Sequence, residues 1–348
     1  MSHTNKNEFD SAINILLDKK HLIGLSLSII RDGKIIKEKG YGYTDKTQKI
    51  EVTPSTLFQA GSISKPVATL GVMHLVEKGH LSLDKDVNIY LDSWKVPTNK
   101  FTKANNITLR KILSHSAGFT VHGFPGYATT DKLPSLSQVL DGLKPANTSP
   151  IRVNITPGKK VRYSGGGFVV MQQVVIDVTR LPFSEFMCDT VLKPLGMASS
   201  TYEQPPAQKL FSLMATGYYT NGKEVKGRWH IYPEMAAAGL WTTASDLARY
   251  LIGIQQALNG QSNSVISPKI AKMMIKNQKE HMGLGLFLSN KNNQRSFFHG
   301  GRNNGFDSFS IGNVKTGQGI VILINKNVSS LVFNELIKII NNKYTFGF

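Results

Sequence analysis

Leu25-Ser26-Leu27-Ser28-Ile29-Ile30, then Asp32-Gly33, then Lys34-Ile35-Ile36-Lys37, reads as a β-hairpin: two strand-forming runs joined by an Asp-Gly turn. Just before it, residues 7–22 place Phe9, Ile13, Leu16 and Leu17 at helical spacing with a basic outer face. Beyond it, residues 62–79 predict a helix stopped by Gly79. From there to about residue 220 the chain reads as helices separated by Pro, Gly and Asn loops. Short strand-like runs return at residues 283–288, 296–300, 306–311 and 319–325, and residues 331–340 close the chain as an amphipathic helix. The hairpin and the late strands therefore predict one shared antiparallel sheet with helices on it, an α/β fold of the α+β type. Residues 1–60 and 221–348 are expected to form this discontinuous sheet domain. Residues 61–220 are expected to form a mostly helical inserted domain, with a ligand site in the cleft between the two.

Composition agrees with a globular chain: 348 residues, 41% hydrophobic and 18% charged, which excludes a disordered tail, a collagen-like fibre or a coiled coil. The length suits about two domains. A lone cysteine, Cys188, cannot make an internal disulfide, and no Cys cluster offers a zinc site; no metal or organic cofactor is expected. The 41 Lys+Arg against 23 Asp+Glu give a formal charge of +18. These charges are scattered, without a run of five like charges or a nucleic-acid-binding signature, so general lysine usage explains them and no specific nucleic-acid partner is expected. Residues 1–10 are polar and no apolar run of signal or membrane-span length follows. The sequence as it stands predicts a cytoplasmic protein without a transmembrane segment; had a leader been removed beforehand, it would be periplasmic or secreted. Oligomeric state is not legible.

Three short stretches can carry chemistry. In Ser62-Ile63-Ser64-Lys65, three residues of helix bring Lys65 beside the Ser62 hydroxyl. Burial would lower the lysine pKa enough to take or relay the serine proton. The bland reading is a serine cap, and Ser82-Leu83-Asp84-Lys85 matches the same pattern with no helix start. Arg162-Tyr163-Ser164-Gly165-Gly166-Gly167 holds a tyrosine on a glycine-rich turn. A nearby lysine would lower the phenol pKa and make phenolate a base; the bland reading is a loop anchor. Phe298-His299-Gly300-Gly301-Arg302-Asn303-Asn304-Gly305-Phe306 sets a histidine before glycines that permit close backbone approach, or is simply a turn. Lys315-Thr316-Gly317 reads as a hairpin turn.

Taken in order, the three stretches resemble the serine β-lactamase-like, penicillin-recognising hydrolases, a family including class C β-lactamases, D,D-peptidases, D-aminopeptidases and β-lactamase-fold esterases. Residues 107–118, 194–197 and 237–247 agree, and the resemblance spans about residues 20–340. It implies Ser62 as acylated nucleophile, Lys65 as its proton partner and Tyr163 as general base. It implies that His299-Gly300-Gly301 stands in the place of the family's Lys-Thr-Gly, that the backbone N–H groups of Ser62 and Arg302 form an oxyanion hole, and that Ser164, Gly300 and Gly301 lie against substrate. Gly165 replaces the family's amide-binding Asn, and His299 its Lys. Both departures favour an esterase or D-amino-acid peptidase acting on a small molecule or short peptide over a β-lactamase hydrolysing penicillins and cephalosporins. A catalytically weak binding or scaffold protein with a basic surface is the alternative of another class. His115 and Thr242-Thr243 are expected to be structural.

Overall fold

The computed structural model describes residues 4–291 and 294–348; residues 1–3 of the polar N-terminal stretch lie outside the described residues. The chain opens with α1 (Thr4–Lys20), β1 (Gly24–Arg31), β2 (Lys34–Asp45) and β3 (Ile50–Glu51). Asp32 and Gly33 take φ of 52° and 69°, and Arg31 pairs with Lys34, so the hairpin turns on the two expected residues. Next come α2 (Ser64–Glu77), α3 (Gly165–Thr179), the one-turn α4 (Met235–Ala238) and α5 (Ala244–Leu258), with shorter helices between them. The chain returns to the sheet with β4 (Phe287–Lys291), β5 (Gln294–Asn303), β6 (Phe306–Asn313) and β7 (Gly319–Ile324), and ends in α6 (Ser330–Tyr344).

These seven strands form one sheet in the order β3-β2-β1-β7-β6-β5-β4, with every pairing antiparallel. Its centre joins the two ends of the chain, with Leu27 opposite Ile322 and Leu25 opposite Ile324. Strand alternation sorts the side chains onto two faces. Leu25, Leu27, Ile29, Ile320, Ile322 and Ile324 pack under α1 and α6, beside Ile13 and Leu336. Val321 and Leu323 join the other, larger core. On that side α5 lies across β1 and β7, its Ser245 Oγ 3.5 Å from Ser28 Oγ. Residues 221–286 contribute no strand to the seven-stranded sheet, which resumes only at Phe287; instead α5 roofs it. Lys315-Thr316-Gly317 is the turn between β6 and β7, and the Gly33 amide donates to the Gly317 carbonyl at 3.0 Å.

Candidate active site

The helix expected from Ser62 begins later. Gly61–Ile63 form a single 3-10 turn, and α2 starts at Ser64. The tighter turn places residues i and i+3 on one line, so Lys65 Nζ stands 2.9 Å from Ser62 Oγ. Ser62 is not a cap; Ser64 is the structural serine, donating to the Gly61 carbonyl and accepting from the Leu240 amide. Ser82 lies on a loop, its hydroxyl accepting from the Asp84 amide.

Lys65 is buried, and that desolvation brings its pKa down to about 7. Its ammonium donates at 2.7 Å to the carbonyl of Ala237, on α4, and lies 5.1 Å from the centre of the Tyr163 ring. Tyr163 corrects an expectation. Burial raises its phenol above the ordinary value, against a smaller opposing effect of Ser62 nearby, so at neutral pH it is a phenol and not a phenolate. The ring is clasped: His115 stacks on it at 4.2 Å and 28°, His122 lies at 4.8 Å, and Phe287 runs parallel at 6.2 Å. His115 is buried and its Nδ1 accepts from the Ser164 amide, tying the tyrosine loop down.

Ser164 also departs from the sequence reading. It is buried as the N-cap of α3, its hydroxyl accepting from the Gly167 amide and donating to the Thr120 carbonyl. Those bonds use the hydroxyl inside the protein, and Ser164 is not part of the lining of the cavity that holds Ser62. At Gly165 a Cβ would meet Phe124 at 2.9 Å and the His122 carbonyl at 3.1 Å, so His122 and Phe124 crowd the place of the family's Asn.

His299 is buried on β5. Burial first, then the charge of Lys65, hold its pKa down at about 3, while its Nδ1 lies 2.6 Å from the Gly300 carbonyl. It is a neutral imidazole. The end of β5 runs hard against the 3-10 turn. A Cβ on Gly301 would overlap the Ala60 carbonyl and stand 2.9 Å from the Ser62 nitrogen, and one on Gly61 would stand 2.6 Å from the Arg302 nitrogen. Ser62 and Arg302 thus come close together and line the same cavity. The Arg302 guanidinium is taken up by Asp307 at 2.7 and 2.6 Å.

Ser62, Tyr163, His299, Gly300, Gly301 and Arg302 line one cavity of about 470 Å³, and Lys65 sits behind Ser62. Sequence reasoning missed three participants. The Ala237 carbonyl had no signal beyond its stretch matching the family. His122 and Phe287 had none, because only packing brings residues 122, 163 and 287 together. Among the described residues no group of His, Cys, Asp and Glu could hold a metal ion, and no helix is long and apolar enough to cross a membrane.

A family model described as Beta-lactamase matches residues 9–340. The chain is 24% identical to Protein flp of Staphylococcus aureus (strain N315), over 99% of this chain and 68% of that protein. Its fold is similar to the octameric penicillin-binding protein homologue from Pyrococcus abyssi, with a TM-score of 0.78 at 23% identity, covering 97% of this chain and 77% of that one. It is also similar to FmtA from Staphylococcus aureus, with a TM-score of 0.76 at 20% identity, covering 99% and 90%.

Proposed function

The chain belongs to the Beta-lactamase family, and from that premise we propose that it is a serine hydrolase that cleaves an ester or amide through an acyl-enzyme on Ser62. The reading is carried by the 2.9 Å contact between Ser62 Oγ and a Lys65 amine whose pKa is about 7. A neutral amine donating to the Ala237 carbonyl keeps a lone pair for the serine proton. Lys65 accepts that proton as Ser62 Oγ bonds the carbonyl carbon, and the Ser62 and Arg302 amides receive the oxyanion. Collapse breaks the bond to the leaving group, which takes the proton held on Lys65 directly or through the Tyr163 phenol. Water then attacks the acyl-enzyme, gives a proton back to Ser62 along the same route and releases the acid. Tyr163 thus serves as a neutral relay and donor rather than as a phenolate base.

The neutral imidazole at His299 and the side-chain-free Gly165 support an ester or D-amino-acid peptide over a β-lactam. Neither supplies the cation or the amide that a carboxylated penicillin would meet in the family pattern.

Treatment with a fluorophosphonate, followed by intact mass and peptide mapping, should give one adduct, on Ser62. Ser62→Ala should abolish both the adduct and ester turnover, while Ser82→Ala should keep them. Absence of an adduct with both fluorophosphonate and a labelled penicillin, on folded protein, would replace this reading with a binding or scaffold protein.

A further inference from the structure

The cavity that holds Ser62 does not end at the catalytic groups. It continues past Gly300 to Phe309, Phe333 and Ile337, and a second cavity of about 570 Å³ shares Phe309 and Ile337 and extends it along the sheet. On α6, Val332, Leu336 and Ile340 point into the core, and Phe333 and Ile337 form the next stripe, only partly buried. On the sheet, Phe309 pairs with Gly300 and Ile311 with Phe298, so all four positions share one face. Gly300 is the step in that face without a side chain, and a Cβ there would meet only the Ser308 carbonyl, at 3.7 Å. The bare step leaves the aromatic surface open to the cleft. Rings follow one another from the site outward: Tyr163 to Phe287 at 6.2 Å, Phe287 to Phe298 at 5.5 Å, Phe298 to Phe309 at 6.2 Å and Phe309 to Phe333 at 6.0 Å. The guanidinium along this path, Arg302, is paired to Asp307.

Resting on the hydrolase reading, we infer that this trough holds an aliphatic chain attached to the scissile ester, so the preferred substrates are neutral esters bearing an extended alkyl group. Apolar surface continuous with a nucleophile stabilises a bound chain by excluding water from each methylene. Lys291 and Lys338 also line the second cavity, beside the apolar surface of Phe298, Phe309 and Ile337. The chain can belong to the acyl or to the alcohol part of the ester.

Two series separate these sources: p-nitrophenyl esters from acetate to octanoate, and alkyl acetates from methyl to octyl. In at least one, kcat/KM should rise by up to about fourfold per methylene, equivalent to ~0.8 kcal/mol. Gly300→Val, which fills the bare step, and Ile337→Ser, which makes the trough polar at its rim, should each flatten that rise. A flat dependence in both series with p-nitrophenyl acetate still hydrolysed overturns the trough and leaves the hydrolase standing. An unchanged slope in both variants, folded by circular dichroism, also overturns it. No turnover of any ester overturns the trough; the hydrolase reading falls with it only if Ser62 is also left unlabelled by fluorophosphonate and labelled penicillin.

Discussion

Lys65 and His299 lie in one site, and burial pushes both away from charge. With Lys65 at about 7, the ammonium form below that pH cannot take the serine proton. For a neutral ester, kcat/KM should rise about tenfold per pH unit below 7 and level off above it. A profile flat through pH 7 would remove Lys65 as the acceptor. The same shift acts on stability. The unfolded chain keeps the lysine proton to about 10.4, whereas the folded chain releases it above 7, so the unfolded state binds more protons between these values. Stability from this group therefore rises with pH across that window, and Lys65→Met should raise Tm most below pH 7. His299, held at about 3, is uncharged throughout pH 5.5–8.5. The ratio of kcat/KM for nitrocefin to that for an ester should show no histidine titration over that range. A ratio that climbs as pH falls through about 6.5 would mean an ordinary, solvated histidine.

At the scale of single elements, caps and turns decide which serine is free to react. Ser64 and Ser164 have their hydroxyls bonded within the protein, to the carbonyls of Gly61 and Thr120, while Ser62 faces Lys65 and the cavity. Ser164→Ala should cost about 1 kcal/mol through loss of the α3 cap, read as a lower urea midpoint, with KM for a small ester unchanged. A large rise in KM without loss of stability would return Ser164 to the substrate. Local signals could not make this assignment. The missing helix start set Ser82 apart from Ser62 in sequence, but nothing local showed that the Gly61 carbonyl would take the Ser64 hydroxyl and the Thr120 and Val121 carbonyls that of Ser164.

The molecule as a whole is closed by a strand pair nearly 300 residues apart in sequence. Leu27 and Ile322 face each other in fully buried positions at the centre of the sheet, beneath α1 and α6. Ile322→Ala should lower stability by about 2–5 kcal/mol, as truncations of buried aliphatic side chains do, measured by thermal or urea unfolding. Ser62 should still label below the lowered Tm, because β1 and β7 lie away from the cleft lining. A cost under about 0.5 kcal/mol, the size of a surface change, would mean the two ends of the chain are not held together there.

What the sequence by itself determined is what short-range physics controls. The Asp32-Gly33 turn, the alternation of Leu25 to Ile29, the turn at Lys315-Thr316-Gly317 and the three-residue step from Ser62 to Lys65 follow from backbone preferences and periodicity acting within a few residues. The resemblance carried by the order of three motifs extended that to the family. Tertiary structure alone decided the rest, because burial and charge are set by neighbours far apart in the chain. It turned Tyr163 from a phenolate into a phenol, tied up the Ser164 hydroxyl, set Ala237 against Lys65, and aligned residues 163, 287, 298, 309 and 333 into one aromatic wall. A pKa depends on the solvent a side chain loses on folding, and a trough on which faces of strand and helix meet. Neither quantity is written in the spacing of residues along the chain.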